Sequence, residues 1–397
     1  MAVAFASFAI ICSFATGNAI QSFTVSDQIY SEVADAVTEN YFDSNNNGIY
    51  DYETYEDLNK NGIYDESEPF EDVNKNNILD QEIFEDENEN GIYDSYKNHF
   101  LTEKHVIFSG FNLSVLQVIN GLILAGIVGM VIIGGIRRIG HVTGFLAPFM
   151  AIIYVIATGL ILIYNFDKLS ESVGMIFTMA FNPPAAVAGT SGGILLTMLW
   201  GIKRGLYSNE AGQGSAAIAH STAKTKYPIR EGAVAMLGPF IDTIIICTMT
   251  ALVIVITGVY DANGEFANLV ASKNGAALTS AAFGTVLSWF PVILTISVAL
   301  FAFSTMISWS YYGERAWTYV FGERYTLVYR LLFIGFTVVA SIVSLGNMLN
   351  FSDLLILGMA FPNLLGVYIL HGKVKEALSE YIAKLKSGEL DREVIKE

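Results

Sequence analysis

The chain has 397 residues, 53% of them hydrophobic and only 15% charged, with a mean hydropathy of +0.46. Charged surface keeps soluble domains well below that average, so the sequence reads as an all-α polytopic membrane protein. The net charge of −16 is concentrated in one block: residues 40–99 carry 17 acids against Lys60, Lys75 and Lys97, and the remainder is nearly neutral, which argues against a nucleic-acid partner.

In chain order, the first apolar stretch covers residues 2 to about 25 and is interrupted by Thr16, Gly17, Asn18 and Gln21. It lacks the basic lead-in of a cleavable signal. Composition then turns polar and acidic until about Lys104. Apolar segments follow at 111–136, 142–164, 233–258, 285–312, 325–345 and 351–370, with a broken region at 172–207. That makes eight candidate transmembrane helices, each near the roughly 20 residues that a bilayer core requires. Beyond 372 the tail repeats Val374, Leu378, Ile382 and Leu385 at helical spacing, so an amphipathic helix is expected. Cys12 and Cys247 both fall in apolar runs and read as buried packing residues rather than a disulfide. The expected division is a first transmembrane helix at 1–38, an acidic insert at 39–104, a transmembrane core at 105–371 and an amphipathic tail at 372–397.

Lysine and arginine counts set an expected orientation. With the first span running outward, sixteen basic residues fall on the inner side and six on the outer, which makes the insert extracytoplasmic and the C-terminus cytoplasmic in a cell membrane.

The insert repeats one pattern four times at a spacing of 14 or 15 residues. The units place oxygen side chains at Asp43, Asn45, Asn47 and Asp51; at Asp57, Asn59, Asn61 and Asp65; at Asp72, Asn74, Asn76 and Asp80; and at Asp86, Asn88, Asn90 and Asp94. Position 6 is Gly in three units and Asn77 in the third, and an aliphatic residue follows. These are the features of an EF-hand-like Ca2+ loop: alternating oxygens, a sharp turn, then a carbonyl ligand. Only the second unit supplies the glutamate at position 12, Glu68; the others have Thr54, Ile83 and Lys97. The array resembles the calcium repeats of dockerins and thrombospondin type 3 modules, and the alternative reading is a solvated acidic loop.

Three strings inside or beside the spans carry a more specific resemblance: GIKRGLYSNEAGQGSAAIAH from Gly201, PFIDTIIICTMTALVIVITG from Pro239 and FAFSTMISWSYYGERAWTYVFG from Phe301. With GNAIQS in the first span and FPNLL near the end, they resemble the alanine or glycine:cation symporter family, which moves alanine or glycine with Na+. The resemblance implies a partial leucine-transporter-type fold of inverted repeats, with substrate and sodium meeting at broken helices. Members of that family have about eleven spans. By its register the eight spans here correspond to the third through tenth core helices. The first core helix, which binds the substrate carboxylate, would then come from a longer reading frame or from a separate polypeptide.

The resemblance also implies roles. Asn18 and Gln21 would line the substrate pocket; the bland reading of Gln21 is an interhelical hydrogen bond. Gly189, Thr190, Ser191, Gly192 and Gly193 follow Pro183 and Pro184 and would unwind to present backbone groups to a small neutral amino acid. Ser304 and Thr305 would complete the Na+ shell, unless they bond back to the preceding turn. Thr305 and Trp309 would close the pocket around an alanine- or glycine-sized side chain. Arg204, Asn209 and Glu210 are expected at an inner gate. Asp242, about ten residues into its span, needs a partner, for which Arg204 and the amides of 209–212 are the candidates.

Two functions compete: sodium-coupled amino-acid symport by alternating access, incomplete in this single chain, and a calcium-dependent surface or adhesion protein anchored by a degenerate transporter core. An enzyme is disfavoured, since His141, His220 and His371 are far apart and no HExxH or Ser-His-Asp pattern stands out.

Overall fold

The computed structural model describes residues 1–36, 100–108, 111–181, 193–261, 263–272, 275–287, 289–342 and 345–390. All four acidic repeats, with every calcium ligand expected above, lie outside the described residues, as do Gly189, Thr190, Ser191 and Gly192.

The first apolar stretch forms α1 (Ala2–Phe14) and α2 (Ile20–Ala36), joined through a π-helical turn at Ala15–Ala19. A two-stranded ribbon follows, β1 (His105–Phe108) and β2 (Phe111–Leu113). Next come α3 (Val115–Ile132) and α4 (Gly135–Tyr164). The broken region divides into α5 (Phe166–Phe181) and α6 (Gly193–Asn209), then the short α7 (Ser215–His220). The next span, Pro228–Thr257, contains α8 (Pro228–Ala235), a π-helical stretch Phe240–Cys247 and α9 (Thr248–Thr257). It is followed by α10 (Ala267–Ser272), α11 (Gly275–Gly284), α12 (Phe290–Phe321), α13 (Thr326–Ala340) and α14 (Leu345–Lys386).

Six helices among the described residues are long and apolar enough to cross a membrane, where hydropathy alone suggested eight segments. Two of the eight fall short of that length among the described residues. The 172–207 region is split between α5 and α6, and the apolar run at 325–345 ends its helix at Ala340, with a new one starting at Leu345. Conversely, α14 crosses position 372 without a break, so the tail's apolar repeat continues the last helix rather than forming a separate one.

The placement of apolar residues confirms the solvent these helices expect. On α4, Met150, Tyr154, Ala157 and Ile161 are buried, while Phe145, Phe149, Ile152, Ile156, Leu160 and Ile163 are exposed along the opposite face. A soluble helix would carry charge there; an apolar outer face fits lipid.

Two chain units are distinguished by their contacts. The larger contains two cores that share α12. One packs Cys12, Val128, Met306, Trp309, Phe333 and Met359; the other packs Tyr154, Ile161, Val253, Phe283 and Leu294. Phe14 is clasped by Tyr329, Phe333 and Phe336 of α13, with ring centroids 5.5, 5.8 and 5.6 Å away. At the turn between α3 and α4, Arg330 grips Glu314 through Nε and Nη2, at 2.6 and 2.9 Å, and donates Nη1 to the Ile133 carbonyl at 3.1 Å. The smaller unit, residues 30–105 with 114–116, contains a cluster of Tyr30, Ala34 and Leu116. There the Tyr30 hydroxyl donates to the Thr102 carbonyl at 2.9 Å and Lys104 lies 4.2 Å from its ring centre.

Candidate functional site

The site is built around the π-helical turn at Ala15–Ala19, every residue of which is buried. A π-turn adds one residue to the helical repeat and releases a carbonyl from the regular ladder. Here the Gln21 side-chain amide reaches back to the Thr16 carbonyl at 3.4 Å. Gly17 lies against Trp309 of α12 so closely that a Cβ would overlap the indole, which is why only glycine fits. Asn18 is occupied by protein groups: its Nδ2 donates to the Phe333 carbonyl at 2.8 Å, and its Oδ1 accepts from Ser22 at 2.9 Å. Asn18 is thus bonded to another helix, whereas the Gln21 amide turns to a carbonyl of its own helix rather than making the interhelical bond that competed with its pocket role.

A line of hydroxyls leads away from this turn. The Thr16 hydroxyl contacts Cys12 Sγ at 3.1 Å and Ser352 Oγ of α14 at 2.5 Å, and Tyr207 of α6 faces the same Ser352. The neighbouring Asp353 forms an ion pair with Arg204. The Arg204 guanidinium lies 5.6 and 5.3 Å from the rings of Trp200 and Tyr207, and its Nε is buried without a hydrogen-bond partner among the described residues. Arg204 is therefore committed to Asp353 and does not reach Asp242. The latter instead accepts from Ser208 Oγ at 2.6 Å, so it is satisfied by a hydroxyl of the facing helix rather than by a charge.

After α6 the chain turns inward instead of leaving the bundle. Asn209 starts the turn, its Oδ1 accepting from the Ala211 amide at 2.8 Å and its Nδ2 donating to Thr243 at 3.1 Å. Glu210 has a positive φ of 55° and Gly214 one of 90°. Asn363 of α14 fastens the turn by donating to the Gly212 carbonyl at 3.0 Å, and it lies against Gly214, where a Cβ would collide with it and with Phe5. The result is that the Glu210 carboxylate is turned inward beside Trp309 and accepts from Ser215 Oγ at 2.8 Å. Glu210 lies in this turn, outside the membrane-spanning helices, and burial pushes its carboxyl up from 4.5 to about 7 despite the Ser215 hydroxyl.

The sequence placed Trp309 deep and Glu210 near the surface; the structure brings them side by side. The reason is the inward turn, which hydropathy cannot show. On the same helix Thr305 donates back to the Phe301 carbonyl at 2.9 Å, the bond that competed with a sodium role, and Ser304 is half-buried beside it. Gly193 opens α6, directly after residues outside the described set. Among the described residues no group of three or more His, Cys, Asp or Glu is placed to hold a metal ion. Both cysteines are free thiols. Sequence reasoning passed over Ser352, Asp353 and Asn363; the one available signal was Asp353 itself, an acid inside an apolar run that needs a cation at close range.

A bundle with bare apolar outer faces and a polar seam running from Thr16 to Arg204 defines a polytopic integral membrane protein. The profile of the sodium:alanine symporter family matches residues 83–396. The chain belongs to that family. It is 40% identical to Sodium/alanine symporter AgcS of Methanococcus maripaludis, over 66% of this chain and 56% of the relative. It is 37% identical to a transporter of Haemophilus influenzae, over 74% of this chain and 63% of the relative. It is 29% identical to the sodium/proton-dependent alanine carrier protein of Bacillus sp. strain PS3, over 68% and 63%. The chain thus spans less than two thirds of the length of these relatives.

Proposed function

We propose that the protein takes part in sodium-coupled symport of small neutral amino acids, alanine or glycine, by alternating access. The observation that carries the reading is family membership over residues 83–396, together with a relative named as a sodium/alanine symporter. In this reading the Arg204–Asp353 pair and the Glu210–Trp309 contact belong to one gate, because α6, the turn after it, α12 and α14 meet there. Gln21, Trp309 and the 189–193 stretch would face substrate. Ser304 and Thr305 would contribute to a Na+ shell once their back-bonds are exchanged for the ion. A further polypeptide segment supplies the remaining ligands, either in cis or from a separate chain. The acidic repeats bind Ca2+ outside the cell, and the C-terminus is cytoplasmic.

The test is uptake of labelled alanine into proteoliposomes with and without a sodium gradient, for this chain alone and for this chain joined to the segment encoded upstream. Sodium-dependent uptake in either case supports the proposal. No uptake in both, with calcium binding retained by the repeats, would replace it with the surface-protein reading.

A further inference from the structure

Asp353 and Asn363 fasten α14 to α6 and to the turn after it, and α14 takes a further hold well beyond them. Tyr381 lies roughly 27 Å past Asn363 along the same unbroken helix, at 1.5 Å per residue. Its ring meets that of Tyr227, just ahead of α8, with centroids 5.5 Å apart and planes at 60°. Lys384, one turn on, places Nζ 5.2 Å from the Tyr227 ring centre and 2.9 Å from Glu380. The Arg230 guanidinium lies 5.9 Å from the Tyr227 ring centre, and its Nε donates to the Tyr381 hydroxyl at 3.5 Å. Tyr227, Tyr381 and Lys384 are half-buried, whereas residues 378–380, 382 and 383 around them on α14 are exposed.

The Tyr227 elbow is itself fixed. Its backbone N–H donates to Thr225 Oγ1 at 3.3 Å, the same hydroxyl donates to its carbonyl at 3.2 Å, and its extended backbone leads into Pro228 at the start of α8. From there α8 is tied back to α7, with His220 Nδ1 2.6 Å from Glu231 Oε1. In turn α7 starts directly after the 209–214 turn, and its first residue, Ser215, bonds Glu210. A continuous line of contacts thus runs from Tyr381 through α8 and α7 to that turn, while Asn363 of the same helix holds the turn's other side. We propose that the far end of α14 is a strap, in which Tyr381 and Lys384 clasp the Tyr227 elbow and thereby hold α7 and the 209–214 turn closed against α14. The inference rests on the reading of that turn as part of a gate. The turn leaves Asn363 only if α7 swings, and α7 swings freely only when the elbow is released. A ring pair and a cation over a ring each shift an equilibrium by about three- to ten-fold, so the strap biases the gate and does not lock it.

Hydrogen–deuterium exchange of the full chain in nanodiscs, read by mass spectrometry over residues 209–220, tests this. Tyr381→Ala, on another helix, should raise exchange there about five-fold. Tyr381→Phe keeps the ring and should stay within about two-fold of wild type. Ser379→Ala, on the same stretch of α14 and bonded to the Lys375 carbonyl of its own helix, should change nothing. The pair Tyr227→Cys and Tyr381→Cys should cross-link on oxidation and lower exchange below wild type, with reduction reversing the effect. The proposal is overturned by unchanged exchange over 209–220 in Tyr381→Ala, by a rise that spreads equally to α11, by an equal rise in Ser379→Ala, by failure of the cysteine pair to cross-link, or by a cross-link that leaves exchange unaltered. Alanine uptake is scored separately. Exchange that responds as expected without sodium-dependent uptake by any form of the protein sinks the transport reading and leaves the strap on the turn, whereas uptake with unresponsive exchange sinks the strap alone.

Discussion

The first helix, Ala2–Ala34, and the span Pro228–Thr257 both qualify as membrane-spanning, yet their surroundings differ sharply. Over its most apolar window the first is 56% buried within the protein and the second only 11%, although the second is the more apolar. Both make interhelical hydrogen bonds: Ser13, Thr16 and Asn18 on the first, and Asp242, Thr243 and Thr250 on the second. They differ in burial, since Ser13, Thr16, Asn18, Ser22, Ser26 and Gln28 are all buried along the first helix while Phe240, Ile241 and Ile244 of the second are exposed. Inside a bilayer apolar contact does not distinguish protein from lipid, so close packing, such as that of Gly17 on Trp309, selects which helix is central.

The contrast can be broken most severely at Gly17. Gly17→Ala forces a Cβ into Trp309, and overpacking of this kind should cost about 3 kcal/mol or more, read as a lowered melting temperature in detergent. If G17A melts with wild type, the close approach of α1 and α12 is wrong. Glu210 comes next. A buried carboxyl whose folded value is raised binds its proton more tightly in the folded state, so its contribution is full below 4.5 and is lost as pH rises to about 7. Glu210→Gln should flatten that part of the stability–pH curve, and Trp309→Phe, which removes a neighbour that lowers the carboxyl's value, should extend it to higher pH. An unchanged slope in E210Q would mean that the carboxylate is hydrated.

Asn18→Leu removes a donor to Phe333 and an acceptor for Ser22, with an expected loss of about 1 kcal/mol by chemical denaturation. Asp353→Asn should cost less, at most about 1 kcal/mol, because the Arg204 side chain is 39% exposed. Its larger readout would be faster proteolysis or thiol labelling around residues 204–214, where the pair holds α6 to α14. At the small end, Ile244→Ala on the bare face should change stability by no more than about 0.5 kcal/mol. A larger loss there would show that the face is covered by protein.

Much of the fold was legible in the sequence because bilayer thickness imposes a length on apolar runs. The spans Ala2–Ala34, Gly135–Tyr164, Pro228–Thr257 and Phe290–Phe321 overlap the apolar runs at 2–25, 142–164, 233–258 and 285–312. What was not legible was the end of α13 at Ala340 inside an apolar run, since a chain buried in lipid or protein can leave a helix without a change of composition. The site divides along the same line. Trp309, Glu210, Arg204 and Gln21 were marked by being polar or aromatic where such residues are costly. Their partners were not: Asp242 bonds to Ser208, and Arg204 bonds to Asp353, 149 residues away.

The sequence by itself determined that this is a multi-span membrane protein, which segments are helical, and to which family it belongs, because hydropathy and motif spacing are local properties. The tertiary structure alone decided which polar residues spend themselves on each other, that Glu210 turns inward onto Trp309, and that Tyr381 of α14 packs against Tyr227. Those outcomes depend on helices distant in sequence packing at hydrogen-bond range, and no periodicity within a single segment records which neighbour it will meet.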